Sequence, residues 1–84
     1  MTPARLLKTI DFFKKKQVAN DEFIETLWKY FGRSVRESRK EGKIGLKSFA
    51  ASIGISRAMC SYLESGKRQW NFEMARKAVK LLEK

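Results

Sequence analysis

The side chains available for chemistry in this chain are few, and their types narrow what the chemistry is. Histidine is absent and cysteine occurs once, as Cys60. There is thus no imidazole to act as a base or to bind a metal. A lone thiol neither closes an internal disulfide nor builds a cysteine-rich zinc site. Two aspartates, Asp11 and Asp21, and no glycine-rich phosphate loop leave little for phosphoryl transfer. The residues therefore predict no enzyme, no cofactor and no metal. Basic side chains are abundant instead: 19 Lys and Arg against 9 Asp and Glu, a net charge of +10. That excess points to a polyanion, nucleic acid first and an anionic membrane surface second. The charge is uneven. Residues 1–32 carry six bases and four acids, whereas residues 33–84 carry thirteen and five, a net of +8. The second part is the one expected to face the polyanion.

Those side chains need a scaffold, and 84 residues suffice for one small domain but not for two cores. With 43% hydrophobic and 12% aromatic residues, the chain is too apolar for a disordered tail. No apolar run approaches the roughly 18 residues of a membrane span. The N-terminus has no apolar stretch followed by a cleavage site, so a cytoplasmic location is expected.

Helical signals recur along the chain. Thr2-Pro3 reads as an N-cap with proline at the first helical position, and Leu6, Leu7, Ile10 and Phe13 follow at helical spacing, predicting a helix over 3–15. Asn20-Asp21-Glu22 opens a second segment, with Phe23, Ile24, Leu27, Trp28 and Phe31 as its apolar stripe. Phe23, Trp28 and Phe31 are expected in the core. Beyond Gly32 the pattern fits one bent helix and two abutting helices equally well, and Gly42 ends it. A two-turn helix runs from Gly45 to Gly54, Ser56 caps the next, and Asn71 caps the last. Without period-two alternation no sheet is expected. The prediction is an all-α single domain over 1–84 with five to six short helices.

The segment Phe49 to Glu64 reads as helix, tight turn, helix. Ala50 is small where helices cross, Gly54 can take positive φ, Ile55 plugs the space between the helices, and Cys60 and Leu63 face inward. Ser56 leaves the first turn of the second helix pointing outward. This is the physics of a helix-turn-helix.

From Val35-Arg36-Glu37-Ser38-Arg39 through Phe49-Ala50 and Gly54-Ile55-Ser56 to Leu63-Glu64-Ser65-Gly66-Lys67-Arg68, the chain resembles the Cro/repressor, or XRE, helix-turn-helix family. The resemblance covers residues 31–82 and implies a lambda-repressor-like fold over 32–84, preceded by an N-terminal helical extension over 1–31. It implies that Arg57, Ala58 and Tyr62 touch base edges. It implies that Gly45, Leu46, Lys47, Ser56, Met59, Ser61, Lys67 and Arg68 meet the DNA backbone. It also implies that Arg39 and Glu64 form a structural ion pair. Three departures stand out. Gly45 and Leu46 occupy positions where many members have Ser/Thr and Gln, Cys60 replaces a larger aliphatic, and Trp70 stands where proline is common. Trp70 and Phe72 read equally as core and as dimer contacts.

The function expected from the resemblance is a sequence-specific binder of double-stranded DNA. It would be a transcriptional repressor, phage- or plasmid-like, on a palindromic operator as a homodimer. The alternative is a protein-interaction module, an antitoxin or an inhibitor of a host protein, whose partner binds residues 1–31.

Overall fold

The computed structural model describes residues 2–17 and 20–83, and five α-helices with no strand lie among them. They are α1 (Pro3–Lys16), α2 (Asp21–Glu41), α3 (Leu46–Ile53), α4 (Arg57–Ser65) and α5 (Phe72–Leu82). Four of them begin at a side chain that accepts a free amide of the first turn. Thr2 accepts from the Arg5 amide at 3.3 Å, Asn20 from Phe23 at 2.8 Å, Ser56 from Met59 at 3.0 Å and Asn71 from Met74 at 2.8 Å. Lys14, Lys15 and Lys16 complement the dipole at the end of α1.

The ambiguity at Gly32 resolves to one continuous helix. α2 passes Gly32 unbroken, so the 31/32 boundary drawn from the sequence falls inside an element. The glycine is there for packing. A Cβ on it would collide with the backbone carbonyl oxygen of Leu63 and lie 3.2 Å from that of Glu64. The C-terminal end of α4 thus rests directly on the α2 backbone.

α2 is the spine, with α1, α4 and α5 packed around it, while α3 packs on α4 and α5. One cluster of buried side chains joins both halves of the chain: Leu6, Ile10, Ile24, Trp28 and Phe31 with Phe49, Cys60, Leu63, Trp70, Ala75 and Ala78. Its centre is aromatic. Trp28 meets Phe31 and Phe72 edge-on at 5.6 and 5.2 Å, and Phe31 meets Trp70 at 4.9 Å.

One open reading is resolved and one expectation needs correction. Trp70 is 2% exposed and its indole nitrogen donates to the Leu63 carbonyl at 3.0 Å. It is core within one protomer and has no surface to offer a second copy. Phe23, expected in the core, is 44% exposed. It lies in the first turn of α2, where Phe13 of α1 meets it edge-on at 5.4 Å.

Candidate nucleic-acid interface

The turn between α3 and α4 is closed by backbone geometry. Gly54 takes φ +79°, its amide donates to the Ala51 carbonyl at 3.2 Å, and the Ile55 amide donates to Ala50 at 3.0 Å. No atom lies within 4 Å of a Cβ built on Gly54, so the left-handed conformation alone favours glycine there. This turn sets α4 across α3 with Cys60 and Leu63 buried beneath it. The opposite face of α4 is open: Arg57, Ala58, Ser61 and Tyr62 are all exposed. Met59 is half-buried and packs against the core, and the Ser56 hydroxyl is occupied in capping.

Tyr62 does not stand alone on that face. The Lys67 ammonium sits 5.8 Å from the centre of its ring. Gly66, at φ +86°, turns the chain back so that the amides of Gly66, Lys67 and Arg68 all donate to the Tyr62 carbonyl. Lys67 and Arg68 are thereby held at the C-terminal end of α4, both exposed.

At the other edge lies the start of α3. Gly45 occupies the cap position and offers no side chain, and the first amide to bond within the helix is that of Phe49, to the Gly45 carbonyl. The amides of Leu46, Lys47 and Ser48 therefore have no helical partner, and their donors and the positive end of the helix dipole are open to an anion. Leu46 is half-buried and Lys47 is exposed.

Beneath these surfaces Arg39 ties three elements together. Its Nε and Nη2 donate to the two carboxylate oxygens of Glu64 at 2.9 and 3.0 Å, and its Nη1 donates to the Ile44 carbonyl at 2.9 Å. The pair is almost fully buried, with side-chain exposures of 9% and 5%. The hydrogen bonds to Glu64 hold the guanidinium proton even more tightly than usual. Cys60 lies next to the same carboxylate, sulfur to oxygen 4.0 Å. Burial, reinforced by the Glu64 charge, pushes its thiol up to about 11. It is an uncharged core residue and not a reactive thiol.

The helix-turn-helix family model matches residues 35–84. The chain belongs to the XRE-type helix-turn-helix family. No curated protein and no solved structure matches it. As a member of this helix-turn-helix family the protein is a DNA-binding transcriptional regulator. The match begins at Val35, inside α2, so α1 and the first part of α2 lie outside the matched segment. No helix among the described residues is long and apolar enough to cross a membrane.

One basic residue of the helix-turn-helix was not singled out by the sequence. Arg36 lies in a run of charges, Arg36 to Glu41, whose ordinary meaning is a solvated helix face. In three dimensions it borders the start of α3 and the side of α4.

Proposed function

We propose that the protein is a sequence-specific repressor that occupies a palindromic operator as a homodimer. The observation that supports this best is the open face of α4. Arg57, Ala58 and Tyr62 project from a helix whose back is locked into the core, between a helix start open to an anion and the Lys67-Arg68 turn. In the major groove, Arg57 would read a guanine through two hydrogen bonds and Ala58 would contact a thymine methyl. Tyr62, one turn on, would read a third position. The amides of Gly45, Leu46 and Lys47, together with Ser56, Met59, Ser61, Lys67 and Arg68, would position the helix through the backbone. One such helix reads too few base pairs for genomic specificity, which is the reason to expect two copies. The protomer measures 36 × 25 × 18 Å. Two copies, each with a shorter axis along the duplex, would span half-sites one helical turn, about 34–36 Å, apart. Repression would follow from occupancy alone, by exclusion of polymerase from the promoter.

Selection of bound sites from a random duplex library tests the proposal. The expected result is two inverted half-sites about one turn apart; a single, non-repeated site would overturn the dimeric reading. On the selected operator, Arg57→Ala is expected to cost about 1–3 kcal/mol per half-site and to relax preference at one position. Arg68→Ala should weaken operator and scrambled duplex alike. Arg68 is the cleaner comparison because Lys67 also supports the Tyr62 ring. Equal losses on both duplexes for Arg57→Ala would demote it to a backbone contact.

A second reading, a partner-binding module, is favoured by one observation. Phe12 and Phe23 are 54% and 44% exposed where α1 meets α2. A pull-down in which Phe12→Ala and Phe23→Ala abolish capture of one defined protein would support it.

A further inference from the structure

Between α2, α3 and α4 lies a small cleft of about 150 Å³, lined by Arg36, Arg39, Leu46, Ser61, Glu64 and Ser65. We propose that it seats one phosphate of the DNA backbone, with Arg36 as the side chain that binds it. The inference rests on the reading of α4 as the DNA-facing helix and adds a contact that this reading does not contain.

The floor of the cleft is the Arg39–Glu64 pair. A carboxylate there would repel a phosphate, but both Glu64 oxygens already accept from Arg39. Three of the Arg39 N–H groups are committed in turn, to Glu64 and to the Ile44 carbonyl. The floor is therefore close to neutral, and the charge that decides what enters comes from the rim. Arg36 is on the rim. It is exposed, and no carboxylate pairs with it among the described residues. Its guanidinium offers a planar fork of donors that matches phosphate oxygens.

The other walls fit the same ligand. Leu46 contributes the first residue of α3, where the amides lack helical partners. Ser61 is exposed and carries a hydroxyl able to donate. The Ser65 hydroxyl is already donated to the Tyr62 carbonyl at 3.2 Å, so Ser61 is the hydroxyl available. Ser61 follows Arg57 by one helical turn and stands next to Tyr62, which places the cleft at the border of the open α4 face. A backbone passing α4 therefore meets Arg36 where the start of α3 carries Gly45 and Leu46, neither of which has a polar side chain.

The test is DNA affinity measured from 50 to 200 mM salt on the selected operator and on a scrambled duplex, for the full chain and four variants. Arg36→Ala is expected to weaken binding to both duplexes on the order of tenfold, the worth of one charge-assisted hydrogen bond. It should also lower the salt slope by about one per protomer. Arg36→Lys should keep the slope and lose only part of the affinity, and Ser61→Ala should lose less than Arg36→Ala. Arg33→Ala is the control. It removes the same charge from α2, but on the groove shared with Leu6 and Thr9 of α1. An equal loss for Arg33→Ala would show that Arg36 acts only through net charge and would overturn the proposal. Unchanged slope and affinity for Arg36→Ala, with wild type still binding steeply, would overturn the cleft and leave the α4 reading intact. A wild-type chain that binds no duplex would sink both. Thermal melts of each variant separate lost contact from lost fold.

Discussion

Arg39 and Cys60 illustrate how burial changes what a residue is for. Arg39 is a cation whose donors are spent inside the fold; it fixes the end of α2 to α4 and to the loop before α3. Removing one member of so buried a pair strands the other charge, at about 3–5 kcal/mol. That is a large share of the roughly 5–15 kcal/mol that holds an ordinary domain together. Arg39→Met and Glu64→Leu should therefore each lower the urea midpoint sharply, and the double variant should lose less than either one. Near-neutral single variants would show that the pair contributes nothing. Cys60 makes the complementary point about pH. Its thiol ordinarily ionises near 9.0, and in the fold near 11. Below pH 9 both folded and unfolded chains keep the proton, so the group adds no pH dependence. Between about 9 and 11 only the unfolded chain ionises, and stability should fall as pH rises. At pH 8, alkylation by iodoacetamide should be far slower in the native chain than in urea. Equal rates would contradict the burial.

At the scale of elements, α2 holds the molecule together through its contacts with α1, α4 and α5. A glycine in mid-helix costs about 1 kcal/mol relative to alanine, so Gly32→Ala ought to stabilise if propensity ruled. The Leu63 carbonyl stands in the way, and a backbone atom cannot swing aside. Overpacking at a close helix crossing costs about 1–3 kcal/mol, which outweighs the gain. Gly32→Ala is expected to melt several degrees lower, and a higher melting temperature would refute the close approach. Cutting the chain before residue 33 is a harsher test. It severs α2 and removes Leu6, Ile10, Ile24, Trp28 and Phe31 from the shared cluster. Residues 33–84 alone should lack a cooperative transition; an unchanged melt would contradict the single core. These two cases also mark what the sequence could convey. The caps Thr2, Asn20, Ser56 and Asn71 were legible because each satisfies amides within three residues of itself. The open face of α4 was legible because Gly54, Cys60 and Leu63 fix its inward side locally. Gly32 and Trp70 were not, because both answer to the same Leu63 carbonyl, far away in the chain for Gly32 and across a turn for Trp70. Phe23 misled because helical periodicity marks a face without saying how far the neighbouring helix extends. Arg36 was hidden in a charged run and acquires a neighbourhood only when α3 and α4 pack beside it.

For the whole molecule the governing quantity is the net charge of +10, concentrated beyond residue 32. Bound as the proposed dimer and neutralising roughly 6–10 phosphates, the protein should lose on the order of 10³–10⁵ in affinity between about 50 and 200 mM salt. An affinity that stays flat over that range would exclude this mode of binding. The packing of α4 on α2 has one more consequence. The Trp70 indole N–H is buried and bonded to the Leu63 carbonyl, against Gly32 and Phe31. Its proton can be traded for deuterium only when that junction parts. In heavy water its resonance should outlast those of the surface amides and persist longer still on operator DNA. The protein thus carries, at the root of α4, an internal clock for how often that helix lets go.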